Sequence, residues 1–180
     1  MAAKQSSKDA ILSAAESVVL DSGAAHLTLD AVAHKAGVSK GGLLYHFPNK
    51  GALLQGMIAR RVEQCHAERR AAEAQFPKDK AASLKALVDA GLDDDDPSRK
   101  INAAAIAAGA NDPSLLAPVR EHNRTLFKEL TGFKRFERAS VVVLAVHGLW
   151  LMETLQVSPL TQRQRKKVIQ ELLSLAETAA

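Results

Sequence analysis

The chain has 180 residues, of which 47% are hydrophobic, 24% charged and only 4% aromatic, and its formal net charge is +4. That length allows two small domains at most, with a core large enough to need neither disulfides nor a structural metal. A single cysteine excludes an internal disulfide framework and a cysteine-based zinc cluster, and suits a reducing, cytoplasmic setting. Met1 to Lys8 has no apolar core, so no signal peptide is expected. The longest apolar stretch, Ala139 to Met152, is interrupted by Ser140, His147 and Gly148 and falls short of the ~20 residues of a membrane span. Abundant alanine and leucine with few aromatics predict an all-α fold.

In chain order, Ser6 and Ser7 are N-cap candidates for a first helix whose apolar face is Ile11, Leu12, Ala15, Val18 and Val19, with Gly23 ending it. Thr28 caps a second helix, Leu29 to Ala36, which buries Leu29, Val32 and Ala33 and closes at Gly37. Ser39 caps a third, Lys40 to His46, stopped by Pro48; Asn49 caps the next. Three short helices, with Gly37-Val38-Ser39 between the second and third, have the size of a helix-turn-helix domain over residues 1–50. The fourth helix is expected from Lys50 to about Phe76, before Pro77, and its length suits a connector into a second domain over residues 51–180.

Further helices are expected near 79–91, 99–109, 114–131, 134–156 and 161–178, about nine in all. The one at 134–156 is apolar nearly all round, and the last carries a wide stripe of Val168, Ile169, Leu172, Leu173, Leu175 and Ala176. Such excess apolar surface on the last two helices predicts a symmetric dimer built as a four-helix bundle. Val142, Leu149, Trp150, Ile169, Leu172 and Leu173 are its expected interface.

The stretch from Thr28 to Lys50 carries the functional signal. A short helix entering the major groove needs small residues at its leading end, and Lys40, Gly41 and Gly42 supply them. Each glycine costs about 1 kcal/mol against alanine in a helix interior, which points to close approach of a partner. Tyr45 and His46, a turn later, can reach phosphates or base edges, and Lys50 opens the next helix, where charge and helix N-terminus both favour a phosphate. Leu43 and Phe47 look inward.

Residues 28–50 resemble the DNA-binding signature of the TetR family of transcriptional regulators, in the Gly-Val-Ser turn, the aromatic-His-Phe end and the closing Asn-Lys. The clear resemblance covers about residues 7–60; beyond it the likeness is general. It implies a homodimer, probing a roughly palindromic double-stranded operator, with a small-molecule effector in the C-terminal domain and no cofactor. Carried onto this chain, Thr28, Ser39, Lys40, Gly41, Gly42, Leu44, Tyr45 and His46 would face DNA, with Thr28 and Lys50 on phosphates. Two positions depart from the pattern. Leu44 stands where many relatives have tyrosine and exchanges a phosphate contact for a thymine methyl contact, and Gly42 removes a side chain that often helps read bases. The expected effector pocket gathers Met57, Ile58, Leu87, Ile106, Asn123, Phe127 and His147, and the fourth helix, touching both domains, is the expected lever between ligand and DNA.

Other features read as structural. Cys65 and His66 are adjacent, so they do not share a helix face, and a buried inert cysteine is the default. Asp93 to Asp96 before Pro97 reads as a solvated linker rather than a cation site. No nucleophile elbow, P-loop, dinucleotide fingerprint or zinc-protease helix occurs, which argues against an enzyme. A protein-binding helical adaptor would have no need of Gly41, Gly42 and Lys50.

Overall fold

The computed structural model describes residues 6–77, 79–92 and 98–180, so the acidic run at 93–96 lies outside the described residues. Nine α-helices are described: α1 (Ser7–Ser22), α2 (Leu29–Ala36), α3 (Lys40–His46), α4 (Lys50–Glu73), α5 (Ala82–Gly91), α6 (Arg99–Asn111), α7 (Ala117–Leu130), α8 (Phe136–Thr154) and α9 (Gln162–Ala179). Short 3-10 turns occupy Ala24–His26 and Pro113–Leu116, and no strand occurs among the described residues. None of the described helices is long and apolar enough to cross a membrane.

The chain forms two compact units, Met1–Arg61 with Pro97–Val119, and Val62–Asp96 with Arg120–Ala180. The division between these units crosses the chain more than once. It falls inside α4 and inside α7, because α6 returns to pack on α1: Ile101 joins the core of the first unit, and Lys100 donates to the Leu20 carbonyl.

In the first unit, side-chain caps set the helix starts. The Ser6 hydroxyl accepts from Asp9 N–H, Thr28 from Ala31 N–H at 3.1 Å, and Ser39 from Gly42 N–H at 3.1 Å. Gly37 ends α2 at φ 66°, a left-handed conformation that favours glycine, and the turn into α3 follows at once. Helices of 8 and 7 residues are too short to persist alone. They are held by Ile11, Leu27, Val32, Leu43 and Leu53, all fully buried and each contributing about 1.5–3 kcal/mol by burial.

In the second unit α5, α8 and α9 share a core of Leu84, Val88, Val142, Val143, Val146 and Leu172 with neighbours. A buried ion pair closes it at one end: Arg165 meets Glu153 at 2.6 Å and also donates to the Leu92 carbonyl. Thr161 and Gln164 form a reciprocal capping box at the start of α9.

Three boundaries differ from sequence expectation by three residues, each for a local reason. After Glu73 the chain turns through i, i+3 bonds from Gln75 and Phe76, so α4 stops before Phe76. The Asp79 carboxylate accepts from Ala81 N–H and holds a turn, delaying α5 to Ala82. Asp112 likewise accepts from the backbone N–H and hydroxyl of Ser114, which hold its carboxyl below the usual range; a 3-10 turn thus precedes α7.

Candidate nucleic-acid interface

The outer face of α3 is assembled from the residues that the sequence singled out. Leu43 and Phe47 are buried and anchor the helix, while Tyr45 is 85% exposed and Leu44 36%. The Tyr45 ring stands edge-on to His46, with centroids 5.1 Å apart. A side chain at Gly41 would meet nothing closer than the Ser39 hydroxyl at 4.0 Å, and one at Gly42 would meet the same atom at 3.3 Å. The chain's own packing thus leaves room for a side chain at Gly41, whereas one at Gly42 would be tight against the Ser39 cap hydroxyl.

Charge is distributed unevenly around this face. Lys40 is paired with Asp30 at 2.9 Å and Lys35 with Asp21 at 2.9 Å, both pairs well exposed. Lys50, first residue of α4 behind the Asn49 cap, has no ion-pair partner among the described residues. Thr28 is exposed at the start of α2, its hydroxyl oxygen holding the Ala31 N–H.

Behind the interface, still within the first unit, lies a cavity of about 260 Å³. Its walls are apolar: Val19, Leu27, Leu54, Met57, Ile58 and Ile101, with alanines of α6 opposite. Its polar lining comes from Lys50, Arg61, Asn102 and Asn111.

Two family models match the chain, one described as "Bacterial regulatory proteins, tetR family" over residues 11–57, the other as "Tetracyclin repressor-like, C-terminal domain" over residues 81–177. The chain belongs to the TetR family. It is a DNA-binding transcriptional regulator and not an enzyme. Among curated relatives, the HTH-type transcriptional regulator BetI of Ectopseudomonas mendocina (strain ymp) is 27% identical over 169 residues, covering 85% of this chain and 84% of BetI. A transcriptional regulator from Rhodococcus sp. Rha1 shares the fold with a TM-score of 0.73 at 23% identity, over 97% of this chain and 96% of that one. The multidrug binding protein EbrR, complexed with ethidium, superposes with a TM-score of 0.69 at 23% identity, over 93% and 98% of the two chains.

The residues of this TetR-family chain expected to gather around an effector are divided between the two units. Met57 and Ile58 line the cavity of the first unit, and Ile106 is half-buried on the same α6 but outside the lining. Leu87 is buried in the core of the second unit, with Phe127 packed on it. Asn123 and His147 are half-buried on α7 and α8. Burial pushes the His147 imidazole pKa down.

Near them is a pair that sequence reasoning missed. His122 Nδ1 of α7 lies 2.9 Å from His66 Nε2 of α4, and the rings cross at 82°. The two are 56 residues apart, and no local pattern signals such a contact. The cavity had one faint signal, the run of alanines in α6 from Ala103 to Ala110, which presents a thin helix face.

The expected dimer residues also divide. Val142, Leu149 and Leu172 are buried in the chain's own core, at 0%, 7% and 4% exposure, so they offer a partner no surface. Trp150, Ile169 and Leu173 are half-buried against that core. What α8 leaves in the open is a different stripe, Val141, Leu144, Leu151 and Leu155, with Gly148 open between them. A helix apolar on every side has no phase in its sequence, so the face turned inward was not readable from pattern alone.

Proposed function

We propose that this regulator is a ligand-responsive repressor that binds a palindromic operator as a homodimer, one α3 in the major groove of each half-site. The observation that carries the reading is the outer face of α3: an exposed Tyr45 and Leu44 beside Gly41, which the fold itself does not crowd. Two such helices spaced by one turn of duplex, about 34–36 Å, address successive major grooves. In this reading Thr28, Ser39 and Lys50 hold phosphates. Lys40, Leu44, Tyr45 and His46 reach base edges or their flanking phosphates over Gly41 and Gly42. Lys40 exchanges Asp30 for DNA at little cost, since an exposed pair is worth about 0–1 kcal/mol.

The homodimer forms through the exposed stripe of α8 with α9 beside it. An effector acts by binding one conformation better than another, which weakens operator affinity by that difference. EbrR, solved with ethidium, supports effector binding by kinship. A cytoplasmic location follows from the role.

Selection from a random duplex pool tests the proposal, with Tyr45→Ala and Lys50→Ala run alongside at stated salt. A palindromic motif recovered by the native chain and weakened in both variants is the expected result. Salt-sensitive binding without a motif, equal in all three proteins, overturns it.

A further inference from the structure

Much of the lining of the first unit's cavity is apolar, and among the described residues its charged lining consists of the cations Lys50 and Arg61, with no described carboxylate beside them. Lys50 and Arg61 lie eleven residues apart on one face of α4, about 16 Å along the axis, so they mark different ends of the space. The neighbouring lysines of this unit, Lys35 and Lys40, each have an aspartate within 2.9 Å; Lys50 has none among the described residues. An apolar chamber with an uncompensated ammonium at its edge matches one kind of molecule, an apolar body ending in an anion. A cationic guest would meet the Lys50 ammonium as a like charge.

We propose that this cavity binds an amphipathic organic carboxylate and that the carboxylate pairs with the Lys50 ammonium. A volume of about 260 Å³, against about 30 Å³ for one water, holds an apolar body of about ten to fifteen non-hydrogen atoms, the size of a medium-chain fatty acid or an aryl-alkanoate. The small side chains of Ala104, Ala105 and Ala108 on α6 open the space, and Met57, with its adaptable thioether chain, fits its wall to an alkyl group. The regulatory consequence rests on the reading of Lys50 as a phosphate contact. The bound carboxylate and an operator phosphate compete for one ammonium. Effector release of DNA then begins by charge competition at the interface itself, inside the unit that binds DNA.

Decanoate is the probe, with decanol and decylammonium as neutral and cationic controls. Calorimetric titration of the native chain without DNA should give saturable decanoate binding, at least tenfold tighter than either control. Lys50→Met should weaken decanoate at least tenfold while leaving decanol binding within twofold. Ala105→Leu and, independently, Ala108→Leu should weaken both, with folding of each variant checked by its unfolding midpoint. Absence of decanoate binding, tighter binding of decylammonium, or binding unaffected by both alanine variants overturns the site.

A second reading uses the duplex. Saturating decanoate should lower the slope of log affinity against log salt by about 0.9 per protomer, the loss of one phosphate contact. Decanoate binding with an unchanged slope refutes the competition but keeps the site, and failure of any duplex binding refutes the DNA reading of α3 without touching the calorimetric result.

Discussion

His122 and His66 face each other nitrogen to nitrogen at 2.9 Å, so one ring donates to the other and the pair cannot hold two full charges and keep that bond. Burial is the main force that pushes the His122 pKa down to about 4, followed by the nearby charges of His66, Arg69 and His147. Arg69 is itself paired with Glu129 at 3.2 Å. A histidine held neutral in the fold but free to titrate near 6.5 in the unfolded chain takes up its proton first on unfolding. Stability should therefore be flat above pH 7 and fall as the pH drops from about 6.5 towards 4, with His147 adding in the same direction. Because His122 is only half-buried, a loss of about 1 kcal/mol between pH 7 and 5 is expected. Urea unfolding at several pH values checks this, and His122→Gln should flatten the profile.

Much of the fold was legible because its signals are local. Ser39 and Thr28 cap helices whose first turns they alone complete, and Gly37 supplies the one left-handed turn between them. The outward face of α3 followed, because the helix has only seven residues and Leu43 and Phe47 leave one choice of inner side. Illegible were relations that depend on distant segments. His66 meets His122, and α6 returns to α1, without any mark in the intervening sequence. Nor does the composition of α8 tell that Val142 turns inward and Val141 outward.

Arg165 is 8% exposed, and its bonds include two to Glu153, at 2.6 and 3.2 Å, and one to the Leu92 carbonyl at 2.6 Å. Arg165→Ala strands a largely buried carboxylate and a carbonyl, so it should cost about 3–5 kcal/mol. Replacing both partners, Arg165→Met with Glu153→Leu, should cost clearly less, since neither charge of that pair is left without the other. Chemical denaturation of the two proteins side by side decides it, and equal losses would count against a paired origin.

Gly56 lies beneath the ring that closes α3. A β-carbon there would stand 2.7 Å from Phe47 Cε1 and 3.3 Å from Leu12 Cδ2. Phe47 is 3% exposed and cannot swing into solvent without opening the core. Gly56→Ala should therefore cost about 1–3 kcal/mol through overpacking, despite the better helix propensity of alanine. It should also weaken duplex binding, because displacing Phe47 tilts the end of α3 that carries Tyr45. Thermal melts and duplex titrations measure the two effects separately.

The open stripe of α8 repeats at the spacing of a helical seam. Val141, Leu144, Gly148, Leu151 and Leu155 step by three and four residues, and Val141 and Leu144 are 54% and 59% exposed. Apolar side chains in that register gain nothing in solvent and pack well against a second copy of the same helix, with the glycine allowing close approach. Leu144→Glu should leave the folded chain within about 0.5 kcal/mol, because the side chain touches little of its own core. In the associated state it buries a charge against its symmetry mate, so sedimentation should read a monomer. Operator affinity should then fall by about 10²–10⁴, the advantage lost when two half-sites are no longer read by one linked molecule. Val142→Ala, one residue away, makes the contrast: with Val142 fully buried, it should cost about 1–3 kcal/mol of stability and leave the association intact. A dimer that survives Leu144→Glu but dissociates on Val142→Ala would place the interface on the other side of the helix.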